Sequence, residues 1–188
     1  MKLVLASKSP RRKELLSLLD LEFEIISADI DETMDSTLPV CDEVARLSLE
    51  KAKATALHTD GDSIIISADT VVELDGVVFG KPKDDADAQK MLCRLSGNTH
   101  NVLTAVTVMH GEKCKTQVVT TSVTFRKLTT REISDYIATR EPMDKAGAYG
   151  IQGRASKFVE KINGDYFNIV GLPVCTLSQM LEDFNINT

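Results

Sequence analysis

SIIISADTVVELDGVVFGKP, from Ser63 to Pro82, is the stretch that decides the fold. Ile64 to Ile66 and Val71 to Val72 are β-branched, and β-branched side chains fit a pleated sheet. Asp75-Gly76 then supplies the positive φ that both central positions of a tight hairpin turn require. Gly80 to Pro82 ends the return arm. The segment reads as strand, turn and strand.

Working outward, DEVARLSLEKAKATALH upstream has helical composition, with Asp42 as its expected cap and Lys51 and Lys53 on a solvent or ligand side. Downstream, DDADAQKMLCRLSG is a second helix closed by Gly97. Val102 to Met109 and Thr116 to Arg126 alternate, are rich in Val and Thr, and turn at Gly111, which predicts another hairpin. TTREISDYIATRE is a helix. Gly147, Gly150, Gly153 and Gly164 punctuate an irregular region before a last helix from Pro173 to Phe184. At the other end, Leu3 to Leu5 is a short buried strand and Phe23 to Ile26 a further one. Between them lies a helix capped by Ser9, with Leu15, Leu16, Leu18 and Leu19 inward. Helices and hairpins alternate without a strict βαβ period. The expectation is an α/β fold, a mixed twisted β-sheet flanked by helices, in one domain over residues 1–188 with room for two lobes.

The 188 residues are 43% hydrophobic, enough for a proper core. A net charge of −6 argues against a general nucleic-acid surface, which needs a broad basic face. The four cysteines and three histidines are scattered without ligand spacing. No stretch resembles a signal h-region or a membrane span, so the expected location is a reducing cytoplasm, with neither membrane nor nucleic acid as partner.

Against that acidic background, Lys8, Arg11, Arg12 and Lys13 crowd a helix start. Ser9 caps it and Pro10 suits its first position, so both arginines fall in the first turn. A helix N-terminus is already partly positive, and each cation there costs roughly 0.3–1 kcal/mol unless an anion compensates. Guanidiniums beside converging backbone N–H groups suit a phosphate; a solvated basic patch is the plain reading. On dipole grounds alone, Arg12→Ala is expected to leave folding stability unchanged or slightly raised.

Asp69 is the second oddity. An unpaired carboxylate between Ile66 and Val71 is expensive, so it needs a cation, a metal ion or a strand-end position. Thr70 beside it offers a hydroxyl, or is a plain strand residue. Asp29, Asp31 and Glu32 form an acidic knot able to hold a hard divalent cation, or simply a solvated loop. Lys51 and Lys81 are further candidate phosphate clamps, with surface lysines as the plain reading. Gln152 lies in a glycine-rich segment where backbone can approach a ligand and an amide can read a base edge. Carboxylates for a metal and cations for oxygens are the parts of phosphoryl-transfer chemistry.

LASKSPRRKELL, SADTVV, FGKP, MLCRLSGNTHNV and GIQGRASKFVEKINGDYFNIVGLP, in that order across nearly the whole chain, resemble the Maf nucleotide pyrophosphatases. That family is similar in fold to the inosine triphosphate pyrophosphatases. The resemblance implies that Asp69 accepts the proton of the attacking water and that Arg11, Thr70 and Gln152 select the base. Ser7, Arg12, Glu32, Lys51 and Lys81 match the other polar site positions, Glu32 being taken over Asp29 or Asp31 on motif register. It further implies a divalent cation, Mg²⁺ or Mn²⁺, at Asp69 and Glu32, a homodimer, a house-cleaning role, and a nucleoside triphosphate substrate cut between its α and β phosphates. IQG with the spaced NGDYFNIVGLP is similar to the subfamily acting on dTTP and UTP, with modified pyrimidine nucleotides as further targets. The alternatives are a 7-methyl-GTP pyrophosphatase and a nucleotide-binding regulator of cell division that does not turn its ligand over.

Overall fold

The computed structural model describes residues 2–188. Among the described residues, seven strands form one mixed sheet in the order β2-β1-β3-β5-β6-β7, with β4 paired to β3. Strand β1 (Lys2–Leu5) runs parallel to β2 (Glu24–Ile25) and to β3 (Ser63–Leu74), Leu5 pairing with Ile25 on one side and Ile66 on the other. Ile64, Ile65 and Ile66 are all buried, as befits an interior strand of the sheet that runs parallel to β1. β3 turns through Asp75 (φ 53°) and Gly76 (φ 77°) into antiparallel β4 (Val77–Phe79), the hairpin expected from the dipeptide.

By backbone proximity the chain divides into two compact units, residues 1–69, 104–119 and 171–188 in one and residues 70–103 and 120–170 in the other. The first holds α1 (Pro10–Ser17), α2 (Val40–Ala56) and α6 (Val174–Glu182). Val44, Leu47, Ser48, Ala52 and Thr55 form the buried stripe of α2 at helical spacing. Val4, Ala6, Ala52, Ile65 and Met109 form a core cluster here, and each such aliphatic side chain as large as Val or Ile contributes about 1.5–3 kcal/mol by leaving water. The second unit holds α3 (Asp85–Leu95), α4 (Thr130–Ile137) and the short α5 (Tyr166–Val170). Thr129 and Glu132 form a reciprocal capping box on α4.

Several sequence expectations need correction. α2 begins at Val40 with Pro39 at its cap, so Asp42 lies in the first turn and complements the helix dipole instead of capping. α1 ends at Ser17, which leaves Leu18 exposed. β5 (Thr99–His110) starts earlier than its apolar pattern, because Thr99 and Asn101 find cross-strand partners in Thr124 and Ser122 at 2.8 and 3.0 Å. The irregular glycine-rich region contains a strand, β7 (Val159–Asn163), antiparallel to β6 (Lys113–Phe125). Its sequence VEKIN has the exposed, charged character of an edge strand and carries no apolar alternation to announce it.

The core of the second unit is aromatic: Phe125 meets His100, Tyr149 and Phe158 edge-on at 5.0, 4.8 and 6.1 Å. His100 is 1% exposed, and its Nε2 bonds the Tyr149 hydroxyl at 2.9 Å while Nδ1 has no hydrogen-bond partner among the described residues. Burial pushes its pKa down from 6.5 to about 4. With the folded value below the unfolded one, the neutral ring's contribution is fully present above pH 6.5 and is lost as pH falls towards 4. The expected loss is about 3 kcal/mol. Melting temperature followed against pH checks it: the wild type should lose stability across this window and His100→Gln should show a flatter profile there. Equal slopes for the two proteins would contradict the assignment.

Candidate functional site

The N-terminal strand delivers the chain to α1 through Ala6-Ser7-Lys8-Ser9. Ser9 caps the helix as expected, its Oγ accepting from the Arg12 N–H at 3.5 Å, and Pro10 takes the first helical position. Ser7 Oγ accepts from the Ser9 N–H at 3.2 Å and from Arg12 Nη1 at 3.4 Å. Arg12 Nε donates to the Gly171 carbonyl at 2.8 Å, so its guanidinium is tied to the chain that leads into α6. This bond adds a stabilising contact that the helix dipole alone does not contain. Arg12 has a structural duty, and its removal leaves a carbonyl unserved.

Lys51 is the second pillar. It stands seven residues after Val44 and three after Ser48, at the margin of the buried stripe of α2, so its methylenes follow the core while its ammonium reaches out of it. Nζ lies 2.5 Å from Asp69 Oδ1 and 2.7 Å from Glu32 Oε1. The Lys51 and Asp69 side chains are only 13% and 12% exposed, whereas Glu32 is 54% exposed. Asp69 lies within β3, five residues before its end, so the strand-end reading is wrong; the cation it needed is Lys51.

Burial lowers the Arg12 pKa, Asp69 and Glu32 oppose that effect, and the neighbouring Arg11 adds to it. Ser7, Arg11, Arg12, Glu32, Lys51 and Asp69 thus form one electrostatic group. Lys8, by contrast, pairs with Asp29 at 2.9 Å in an exposed contact worth little. No cluster of three His, Cys, Asp or Glu side chains occurs among the described residues. Even so, two carboxylates converge on one cationic position, and hard oxygens from one or two carboxylates plus phosphate are what Mg²⁺ takes. The donor set therefore fits a hard divalent cation.

Two charged residues absent from the sequence reading hold the loop that carries Glu32. Glu43, with a side chain 2% exposed, makes two 2.8 Å bonds to Arg46 and accepts from the Asp35 N–H at 2.7 Å. Those bonds, Arg46 first, hold its carboxyl at about 2. Arg46 also donates to the Thr33 carbonyl at 2.9 Å and to Glu50. Its spacing of three from Glu43 and four from Glu50 is the helical ion-pair signal that could have found it.

Three candidates belong to the second unit. Thr70 is half-buried in β3, and Lys81 is exposed just after β4, between Gly80, whose carbonyl accepts from the Gly147 N–H at 3.0 Å, and buried Pro82. Gln152 is exposed in the turn Gly150–Gly153, which closes with a 3.1 Å bond from the Gly153 N–H to the Gly150 carbonyl.

One protein family, described as Maf-like protein, matches residues 2–184. The chain belongs to the Maf-like family. A Bacillus cytotoxicus relative named dTTP/UTP pyrophosphatase is 49% identical over 184 residues, which cover 98% of this chain and 96% of the relative. One from Bacillus cereus strain AH187, with the same name, is 47% identical over 186 residues, 99% and 97% of the two chains. Among solved structures, a HAM1 protein from Coxiella burnetii superposes with a TM-score of 0.52 over 97% of this chain and 99% of that one, at 16% identity. That likeness concerns the fold, and it agrees with the mixed α/β sheet expected from the sequence.

In this Maf-like protein the grouping of Arg11, Arg12 and Lys51 with Asp69 and Glu32 has a definite chemical capacity. Cations gather the oxygens of a polyanion and lower the repulsion that a nucleophile must overcome. Carboxylates in the same place hold a metal ion or take a proton. Cations alone suffice to bind phosphate, so the buried Asp69 carboxylate beside exposed Glu32 is the part that binding leaves unexplained.

Proposed function

We propose that this Maf-like protein is a nucleoside triphosphate pyrophosphatase that hydrolyses dTTP and UTP, and modified pyrimidine triphosphates, to the monophosphate and pyrophosphate. The observation that carries the reading is the Lys51 ammonium bridging Asp69 and Glu32 beside two arginines of a helix start. The names of the relatives supply the substrates. In the reaction, water adds to a phosphorus of the α–β anhydride, the bridging bond breaks, and the water proton passes to Asp69. Arg12 and Lys51 hold phosphate oxygens, and positioning with charge stabilisation supplies most of the rate. Glu32 and Asp69 would hold Mg²⁺ or Mn²⁺, which when bound neutralises phosphate charge. The roles of Ser7, Arg11, Thr70, Lys81 and Gln152 follow the family resemblance residue by residue. Residues 1–188 then serve as one catalytic domain, in a cytoplasmic house-cleaning enzyme that acts as a homodimer on free nucleotides.

A buried carboxylate beside the phosphate cations repels an anionic ligand. That favours hydrolysis over a regulator that only binds nucleotide. Pyrophosphate release from dTTP, UTP, CTP, ATP and 7-methyl-GTP, each with Mg²⁺ and with Mn²⁺, tests the proposal. Turnover of dTTP and UTP ahead of the others is the expected outcome; tight binding of UTP without release would return the protein to the regulator reading.

Base selection gives a sharper prediction. A glutamine amide pairs with the imide edge of uracil or thymine, so Gln152→Ala should lose about 1–3 kcal/mol on UTP, roughly 5- to 150-fold in kcat/KM, and much less on CTP. An unchanged ratio of UTP to CTP would remove Gln152 from base reading.

A further inference from the structure

The turn that carries Gln152 is folded around one carboxylate. Glu141 Oε1 accepts from the Tyr136 hydroxyl at 3.0 Å and from the Arg154 N–H at 3.1 Å, and its Oε2 accepts from the same N–H at 3.2 Å. The Tyr136 hydroxyl in turn accepts from the Gly150 N–H at 3.2 Å. The backbone on both sides of Gln152 is therefore fastened to Glu141, directly at Arg154 and through one hydroxyl at Gly150. Burial raises the Tyr136 pKa, so the phenol keeps the proton it donates.

The two glycines show how close the packing is. A Cβ on Gly153 would strike the Glu141 carboxylate, and one on Gly150 would lie 2.6 Å from Lys145 Cε. Lys145 Nζ donates to the Glu141 carbonyl at 2.7 Å, which closes the cradle. Gly-Ile-Gln-Gly is thus the shape of backbone that Glu141 and Lys145 admit, with Ile151 buried and Gln152 presented to solvent.

Such rigidity has a chemical use. Uracil offers an N–H and a carbonyl at its pairing edge, and cytosine offers a ring nitrogen and an amino group, so an amide that can turn over pairs with either. A glutamine that enters from a fixed backbone reaches the base edge from one direction, which limits the arrangements in which its amide meets that edge and so favours one base over the other. We infer that Glu141 is a positioning residue for base discrimination, acting through the Gly150–Gly153 turn on Gln152 and touching no substrate itself. The inference rests on the reading of Gln152 as the base selector.

The test compares kcat/KM for UTP and CTP in wild type, Glu141→Gln, Gln152→Ala and the double variant. The change Glu141→Gln keeps the size of the side chain but puts an amide NH2, a donor, where Oε2 accepts from the Arg154 N–H. It is expected to lower the UTP to CTP ratio about 10-fold while CTP turnover changes little, and to have no further effect on the ratio when Gln152 is already alanine. Full preference in Glu141→Gln alongside lost preference in Gln152→Ala overturns the positioning role and leaves the base selector standing. Unchanged preference in Gln152→Ala overturns the base selector and this inference with it. Should Glu141→Gln not fold, Tyr136→Phe removes only the hydroxyl and keeps the ring that packs on Phe158 at 5.3 Å. It should also lower the ratio, and full preference in it would overturn the inference.

Discussion

Asp69→Asn should release pyrophosphate from UTP about 10²- to 10⁴-fold more slowly than wild type, the range for loss of a general base, with weakened metal positioning adding to it. The substitution keeps the shape of the side chain and removes its charge and basicity. Folding should survive, because Lys51 keeps Glu32 at 2.7 Å and so is not left as a buried lone cation. Nucleotide binding should survive as well: the arginines are untouched, and repulsion between the carboxylate and the phosphates is relieved. Release assays beside calorimetric UTP binding on one preparation measure both halves. Nearly normal release would leave Asp69 as a structural partner of Lys51 and nothing more.

Arg12→Lys should cost about 10²-fold in turnover, the scale for removal of one preorganised donor at developing charge. The guanidinium turns Nε to the Gly171 carbonyl at 2.8 Å and Nη1 to Ser7 Oγ at 3.4 Å, and its planar fork can serve protein and phosphate together. A lysine has a single nitrogen for both tasks. Arg12→Ala adds a stability test on nucleotide-free protein. The bond to Gly171 outweighs relief of the helix dipole, so melting temperature should fall by a few degrees, in line with about 1 kcal/mol. An unchanged or raised melting temperature would restore the dipole argument and make Arg12 purely a ligand residue.

What could be read in the chain was whatever acts over a few residues. Asp75-Gly76 announced its hairpin because only certain residues tolerate positive φ, and Ser9-Pro10 announced α1 because caps are local chemistry. β7 stayed hidden because an edge strand with charged faces has no apolar period, and its existence depends on β6, more than thirty residues earlier. The candidate site was visible where a residue broke a local rule: cations at the positive end of a helix, and an aspartate inside an apolar strand. Glu43, Arg46 and Glu141 break none. A charged side chain on a helix or loop is ordinary until the fold places Asp35, Thr33 or the Gly150–Gly153 turn against it. The partner of Asp69 was legible only as a type, a cation, a metal ion or a strand end; Lys51 reads in the sequence as a phosphate clamp, and its pairing with Asp69, eighteen positions along the chain, is set by the fold.

Cleavage of the α–β phosphoanhydride is read from the identity of the products. UTP is incubated with the wild-type protein and Mg²⁺, and the products are followed by phosphorus NMR. UMP and pyrophosphate should appear in equal amounts, with no UDP at any time. UDP with orthophosphate would place the cleavage at the β–γ bond and contradict it.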